Sequence, residues 1–359
     1  NGIQLSGDFG YQFNHREEWS AFHTHYDTQV MPAKDPDREL VFKLHTFSSS
    51  LKLRLFNSSS WEHMAGWNMQ IQKNAIGGYS FLLPEYKRFI TGAFWLTTFR
   101  LDNQLSVTGG IRYDRGRIDI TAFEDPYLVE YLHRQGYEEE VIQAYRWRSY
   151  PVDRAYGNYS CSAGVVWTPA AGHLLKMNVG RSFRLPGGNE LASNGVHHGT
   201  FRHEKGDATL SSEQGWQIDA SYTLAYKKME LVVSSFASWF DNYIYLRPTG
   251  EWSVLPHAGQ IYQYSGARAL FMGGEINFNM DFLRHFNYRL VGEYVYTYNR
   301  DEHTALSFSP PVSMRNILTW NKKDFQLYAE FQSIASQNRI ARNEDRTSGA
   351  CLIHLGGSI

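Results

Sequence analysis

The feature that most constrains the fold is an alternation of apolar and polar side chains with a period of two. One face of residues 287–299 carries Tyr288, Leu290, Gly292, Tyr294, Tyr296 and Tyr298. The opposite face carries Asn287, Arg289, Val291, Glu293, Val295, Thr297 and Asn299. The same period recurs in residues 216–224 and 325–332. Because successive side chains of a β-strand point to opposite sides, these segments are predicted to be strands with one apolar face.

Composition narrows the kinds of protein that such strands can build. The 359 residues carry a formal net charge of −1 and have a mean hydropathy of −0.45. No stretch approaches the roughly 18 consecutive apolar residues of a transmembrane helix. Aromatic residues make up 15% of the chain and recur in short segments, which favours β-structure. A helical membrane protein and a basic nucleic-acid-binding protein are therefore excluded, and we expect no nucleic-acid partner.

The connections between the predicted strands alternate between short and long. Short polar turns are predicted at 14–16, 102–103, 169–172, 227–228 and 322–324. Long polar or aromatic stretches lie near 27–38, 75–87, 121–156, 185–212, 247–258, 301–310 and 337–349. Transmembrane barrels have this rhythm, with short periplasmic turns and long extracellular loops. The sequence therefore predicts an all-β fold, a transmembrane antiparallel up-and-down β-barrel.

The number and length of the segments bear on whether the barrel is complete. Counting gives about 15 strands, an odd number, whereas single-chain bacterial barrels normally close with an even one. Some segments, such as 261–281, exceed the roughly 9–11 residues that cross the hydrocarbon, so the sheet should project beyond the bilayer. We interpret residues 1–359 as a single barrel domain that is incomplete, with its first and its C-terminal strands missing.

The alternation also predicts which side chains contact outer-membrane lipid. Tyr288, Leu290, Tyr294 and Tyr296 are expected to face lipid, and Arg289, Glu293 and Thr297 to face the lumen. Cys161 and Cys351 lie far apart in sequence, which fits neither a disulfide-dense domain nor a metal knuckle. We interpret both cysteines as structural.

Proline and glycine mark two further positions. Pro186, Gly187 and Gly188 are predicted to end a strand and to turn the chain into a long loop. Proline cannot donate to a sheet ladder, and glycine accepts a positive φ. The pair Gly273-Gly274 inside a predicted strand indicates a bulge or a bend.

Beyond residue 160 the sequence resembles the barrel of TonB-dependent receptors. The densest match is SFRLPGGNEL (Ser182 to Leu191) followed by GDATLSSE (Gly206 to Glu213), which are similar to the FRAP and NPDL boxes of that family. Further segments fall in the family's order: AFWLTTFRLDNQLSVTGGIRYDRGRI, FASWFDNYIYLRPTG, YQYSGARALFMGGEINF, SPPVSMRN and NEDRTSGACLIHL. The resemblance spans about residues 40–359 and implies part of a 22-stranded plugged barrel in the bacterial outer membrane.

The resemblance also implies a function and partners. Such receptors import a scarce nutrient, and we expect a metal chelate, either a ferric siderophore, haem or zinc. Energy would come from the TonB complex through a plug domain, and no plug-like α/β pattern occurs in these residues. We expect no resident cofactor. The second box reads GDATL and lacks the family's proline, which leaves the cargo open.

Histidines between the two boxes are the candidate ligands. His197, His198 and His203 crowd one short region, and Glu204 follows them. Imidazole is a common ligand for zinc, copper and haem iron. In haem-uptake members of the family a histidine in this interval can bind the haem, so the resemblance implies a cargo-binding loop with His197 and His198 as metal ligands. Solvated loop histidines are the alternative.

Other functions stay open on the sequence alone. A passive substrate-specific porin would show the same alternation, and a glycan-importing receptor could use Trp252, Tyr262 and Phe201 to stack on sugar rings. His23 and His25 share a strand face and form a possible ligand pair. No GxSxG elbow, phosphate loop or dinucleotide fingerprint occurs, so we do not expect an enzyme.

Overall fold

The computed structural model describes residues 2–24, 26–56, 60–197, 200–256 and 258–359. The strands are β1 (Gly2–Trp19), β2 (Arg38–Phe56), β3 (Trp61–Gly77), β4 (Tyr86–Arg100), β5 (Leu105–Ile120), β6 (Phe123–Glu124), β7 (Trp147–Ser149), β8 (Val152–Trp167), β9 (His173–Arg184), β10 (Asn194–His197), β11 (Arg202–Lys205), β12 (Glu213–Tyr226), β13 (Met229–Trp252), β14 (Gln260–Leu283), β15 (Phe286–Asn299), β16 (Ser313–Lys322), β17 (Phe325–Ile334) and β18 (Ala350–Ser358). The helices of the described residues are α1 (Pro126–Arg134), α2 (Glu139–Tyr145) and α3 (Gly188–Ala192). Within these ranges, no helix is both long and apolar enough to cross a membrane.

The long strands form one antiparallel meander. Their order in the sheet is β1-β2-β3-β4-β5-β8-β9-β12-β13-β14-β15-β16-β17-β18, so neighbours in space are neighbours along the chain. β10 and β11 join the same sheet off this path, and β6 and β7 form a separate pair. The predicted all-β, antiparallel up-and-down arrangement is confirmed.

Short and long connections alternate, as predicted. At one end of the sheet, the short-turn end, strands are joined through 101–104, 168–172, 227–228, 284–285 and 323–324. At the opposite end, the long-loop end, they are joined through 20–37, 78–85, 121–151, 185–212, 253–259, 300–312 and 335–349. Because the long loops of such barrels are extracellular, the long-loop end is the one expected to face outwards.

Three details of the sequence interpretation are wrong. Residues 14–16 are not a turn, because they lie inside β1 and pair with residues 42–44 of β2. The predicted connection at 247–258 begins too early, because residues 247–252 belong to β13 and the connection to β14 is 253–259. Gly273 and Gly274 make no bulge, since the register runs through them without a shift; a Cβ on Gly273 would instead lie 2.7 Å from the Phe236 ring.

The register assigns every strand residue to one of two faces. Leu53, Ala65, Trp95 and Ile111 follow one another across β2 to β5, and this side is called the outer face. Ile111 is 59% exposed on it. The outer face is apolar but unburied, as lipid-facing strands are. On β15, Tyr288 and Leu290 share it with Met280 and Phe278, as the alternation predicted.

The buried core lies at the long-loop end, where connections pack on one another and on the inner face. One cluster joins Tyr26, Leu128, Leu132, Ile142, Tyr145, Val196, Leu255 and Ala258. A second cluster joins Ile118, Ile120, Val152, Tyr156, Leu191, Ala192, Leu210 and Ile244. Asp125 caps α1 by accepting from the Tyr127 and Leu128 N–H groups. The loops therefore form a packed layer that can hold side chains in fixed positions.

Candidate functional site

The connection between β9 and β12 is held to the sheet by one arginine. Arg184 ends β9 and donates to Glu190 Oε2 of α3 at 2.7 Å. It also donates to Glu213 Oε2, at the start of β12, at 3.1 Å. Glu190 Oε2 accepts a second hydrogen bond, from the Gly187 N–H at 2.7 Å. Because both partners are charged, the two arginine contacts are the stronger kind of hydrogen bond, and they fix both ends of the connection.

The start of this connection follows the prediction only in part. β9 ends at Arg184 and Pro186 is buried, so the strand does end where Pro186 predicts. The expected positive φ is wrong, because Gly187 has φ −77 and Gly188 begins α3. Close packing explains Gly188 instead: a Cβ there would lie 3.1 Å from the Tyr86 ring.

The second box packs directly on the first. The Gly206 N–H donates to the Ser193 carbonyl at 2.6 Å, and the Asp207 N–H donates to the Glu190 carbonyl at 2.8 Å. A Cβ on Gly206 would lie 2.5 Å from the Ala192 nitrogen, so the contact requires glycine. The two boxes therefore form one structural unit that anchors the loop.

The predicted ligand residues lie on a small hairpin between the boxes. β10 and β11 pair with Val196 opposite His203 and His197 opposite Arg202. β11 also runs parallel to the start of β14, with His203 beside Ile261. Backbone hydrogen bonds on two sides thus place the hairpin, and alternate side chains point to opposite sides of it.

His203 points into the packed layer. It is 0% exposed, with Nδ1 2.8 Å from Ser253 Oγ and Nε2 2.7 Å from Asn194 Oδ1. Burial, with smaller contributions from Arg148 and Lys205, lowers the pKa of His203 from 6.5 to about 3. Its ring is therefore neutral at physiological pH. Both nitrogens are engaged by the loop itself, which leaves neither of them for a ligand in this arrangement.

His197 and Glu204 point the other way, into a cavity of about 550 Å³ at the long-loop end. His197 Nδ1 lies 3.7 Å from Glu204 Oε1, and 41% of the His197 side chain is exposed. Glu204 Oε2 accepts from the Tyr264 hydroxyl at 3.2 Å. An imidazole and a carboxylate thus face one opening, which is a donor set suited to a metal or a metal chelate.

Three residues of the cavity did not stand out in the sequence. Arg202 lies with its guanidinium carbon 5.1 Å from the centre of the Phe308 ring. Its Nη2 is 3.6 Å from Glu204 Oε1. The Tyr264 hydroxyl also accepts from the Asn189 amide at 3.0 Å, which joins the hairpin to the first box. The parallel pairing of β11 with β14 brings the hairpin beside Tyr264, and no local motif signals that pairing.

The remaining predicted ligands are His198, His25 and His23. His198 and His25 lie outside the described residues. His23 Nδ1 is 3.0 Å from the Ala21 carbonyl, near the Tyr79 hydroxyl at 3.5 Å. Across the described ranges, no group of three or more His, Cys, Asp or Glu side chains is arranged to hold a metal ion.

The loop aromatics divide into free and engaged rings. Trp252 is 75% exposed and Phe201 is 66% exposed. Tyr262 instead stacks on Phe308 with ring centres 6.0 Å apart, and Arg202 lies over both rings. Trp252 and Phe201 are therefore the rings open to an external ligand.

Comparison with known proteins identifies the family. Residues 2–358 match the family model described as TonB dependent receptor-like, beta-barrel. No curated protein sequence is similar enough to count as a match. The matched family consists of receptors and transporters of the Gram-negative outer membrane.

Solved structures show the same fold at low identity. The copper transporter OprC has a TM-score of 0.73 at 16% identity, over 99% of this chain and 54% of that one. The ferric enterobactin receptor PfeA in complex with BCV-L6 has a TM-score of 0.64 at 14% identity, over 99% of this chain and 52% of that one. The Serratia marcescens hemophore receptor HasR, in complex with its hemophore HasA and heme, has a TM-score of 0.58 at 16% identity, over 88% of this chain and 54% of that one.

The family model and the solved structures match different shares of sequence. The chain spans about half the length of the solved structures that it matches. The match to the family model covers nearly every residue, including both boxes and the outer-face strands. The chain therefore belongs to the TonB-dependent receptor β-barrel family.

Proposed function

We propose that this chain is a large part of the barrel of an outer-membrane receptor that imports a metal chelate, namely a ferric siderophore, haem or zinc. Transport would draw energy from the TonB complex through a plug domain in the rest of the receptor. The family match supports a receptor over a passive porin, and the family contains receptors and transporters rather than enzymes. Similar structures are named for copper, ferric enterobactin and heme.

The proposal of a metal-chelate cargo rests on the cavity that His197 and Glu204 line. A neutral imidazole donates a lone pair to zinc, copper or haem iron. A carboxylate can coordinate a metal cation or accept a hydrogen bond from a hydroxyl group of a chelate. Arg202 adds a guanidinium for anionic groups of a chelate. His198 follows His197 directly and is proposed as the second ligand. His203 serves the site by holding the hairpin.

A glycan cargo is the second candidate, and the exposure of Trp252 and Phe201 favours it. Aromatic faces stack on sugar rings, and both residues belong to segments that flank the start of β14. A glycan would contact these rings without needing His197.

The test uses the complete receptor in a strain that depends on it for growth on limiting zinc, haem or ferric siderophore. The variant His197→Ala/His198→Ala removes the proposed ligands, and His133→Ala removes an exposed histidine on α1 that does not line the cavity. We expect the double variant to lose growth on one metal source while His133→Ala grows normally. A matched variant, Trp252→Ala, tests the glycan cargo.

Two outcomes would refute the proposal. Unchanged growth of the correctly inserted double variant on all three sources would exclude the histidines as ligands. Growth that persists without a functional TonB complex would exclude energised transport and restore the porin alternative.

A further inference from the structure

The cavity at the long-loop end continues along one side of β10 beyond His197. Ser193, Gly195 and His197 are alternate residues of this extended segment, and all three line the cavity. Because alternate residues of a strand share one side, they form a row in which Ser193 lies roughly 13 Å from His197, at about 3.3 Å per residue. The cavity therefore has a His197 end, which Glu204 and Arg202 share, and a Ser193 end.

The Ser193 hydroxyl at this second end has no partner. Ser193 is 3% exposed, and its buried Oγ makes no hydrogen bond with the described residues. Its backbone, in contrast, is engaged in an antiparallel bridge to Ser149. Buried hydroxyls are nearly always hydrogen-bonded, because burial without a partner costs free energy. The hydroxyl is therefore available to a polar group that enters the cavity.

The bridge between Ser149 and Ser193 also brings a buried cation to this end, namely Arg148. Arg148 is 3% exposed, and its Nη1 donates to the Tyr26 hydroxyl at 2.7 Å. Its guanidinium carbon lies 5.7 Å from the centre of the Phe81 ring. Within the described part of the chain Nε has no acceptor, and no carboxylate pairs with this arginine. A buried cation without a counterion is costly, and the guanidinium fork matches a carboxylate.

Gly195 separates the cavity from this guanidinium. A Cβ on Gly195 would lie 3.5 Å from Arg148 Nη2 and 3.5 Å from Phe81 Cδ1, which are ordinary contact distances. Gly195 also has no positive φ. The fold would therefore accept alanine here, although glycine inside a strand is destabilising. Such a glycine often marks a place where a ligand approaches the backbone closely.

We propose that Arg148, Ser193 and Gly195 form a subsite for a carboxylate group of the cargo. The carboxylate would accept from Arg148 Nη2 and from the Ser193 hydroxyl, while the metal of the same chelate faces His197. The ligand class is thus a metal chelate with a free carboxylate, either haem through its propionates or a ferric carboxylate siderophore. A bare zinc ion and a neutral glycan have no such group. This inference rests on the proposed function and selects among its cargoes.

The test measures binding of three probes to the complete receptor in detergent by isothermal titration calorimetry. The probes are haem, haem dimethyl ester and ferric citrate. The ester keeps the iron and the macrocycle but blocks both carboxylates. The variants are Ser193→Ala, Gly195→Ala and Arg148→Gln. The matched control, Arg134→Gln, removes an exposed guanidinium from α1 in the same connection.

A hydrogen bond to a charged group is worth roughly tenfold or more in affinity. We expect each of the three variants to bind the carboxylate probe at least about tenfold more weakly, and the control to bind it normally. Ser193→Ala and Gly195→Ala remove no side-chain hydrogen bond of the described structure, so their thermal unfolding should be unchanged. They keep the test decisive if Arg148→Gln fails to fold. Loss of haem binding would identify propionates as the source, and loss of ferric citrate binding a carboxylate siderophore.

Three results would overturn the subsite. The first is unchanged binding of haem and of ferric citrate by Ser193→Ala and Gly195→Ala. The second is binding of haem no tighter than of its ester in a receptor that does not bind ferric citrate. The third is binding of neither carboxylate probe. The double variant His197→Ala/His198→Ala separates this outcome from the cargo proposal: normal probe binding by that variant would exclude the histidine ligands and leave the carboxylate subsite standing.

Discussion

Two adjacent valines on β13 offer a direct test of the face assignment. Val233 lies on the outer face, 40% exposed, opposite Tyr222 and Ile276. Val232 lies on the inner face, opposite Thr223 and Asn277. Replacing each by arginine introduces the same side chain one residue apart, so depth and strand propensity are matched. We expect Val233→Arg to impair insertion and Val232→Arg to be tolerated.

The size of the effect depends on the depth of Val233. It is four residues from Met229 at the short-turn end, about 13 Å along the strand and roughly 10 Å into the bilayer at a tilt near 40°. That is close to the midplane of a band about 25 Å thick, where an outward arginine costs about 2–4 kcal/mol. At 1.4 kcal/mol per tenfold, the folding equilibrium shifts by roughly 30- to 700-fold.

The measurement is a urea titration of the complete receptor refolded into phospholipid vesicles. The midpoint should fall for Val233→Arg, while Val232→Arg should stay within about 0.5 kcal/mol of the unmodified receptor. Equal destabilisation by both changes, or a larger effect at Val232, would refute the face assignment. Thr297→Arg is a poor inner-face control, because Thr297 is 3% exposed and its hydroxyl contacts the Ser309 hydroxyl.

The loops support three further predictions. Lowering the pH from 7.5 to 5.0 should weaken the protection of the 185–212 backbone against hydrogen exchange by about 2 kcal/mol. In the opened loop His203 binds a proton in this pH range, whereas burial in the closed loop keeps the ring neutral until about pH 3. The dependence should vanish in His203→Asn. Gly206→Ala should cost about 1–3 kcal/mol of loop stability and reduce cargo uptake without loss of the barrel, measured by uptake and heat-modifiable mobility. Protease added to intact cells should cut within 121–156 and 185–212 but not at 102–103 or 227–228, and cuts at those turns would invert the topology.

The sequence alone was sufficient to predict which face of the sheet each side chain lies on, because the barrel wall is a single layer of strands. In β12 and β15 each residue has one of two environments, so the period of two alone decides its face. The same reasoning failed at residues 14–16, which are polar because β1 extends past the apolar band and not because the chain turns. A polar strand outside the membrane and a polar turn have the same composition.

Sequence was not sufficient to separate His197 from His203. Both lie between the boxes, but the hairpin alternation sends one to the cavity and the other into the packed layer. The partner that engages His203 Nδ1 is Ser253, 50 residues away in sequence. Burial that depends on distant loops leaves no local signal.

The segments that identify the family are also those that attach the loop to the barrel. Arg184 and Glu190 belong to the first box and Gly206 and Asp207 to the second. Arg184 contacts Glu190 and the start of β12, the Asp207 N–H donates to the Glu190 carbonyl, and the Gly206 N–H donates to Ser193, two residues beyond the first box. The hairpin between them is positioned by backbone pairing with β14, which does not depend on side-chain identity. The cavity-facing side chains of His197, Arg202 and Glu204 can therefore change without moving the hairpin, whereas the buried His203 helps to hold it. Cargo preference can thus diverge in this interval while the boxes stay recognisable, so the boxes reveal the family and the side chains of the cavity determine the cargo.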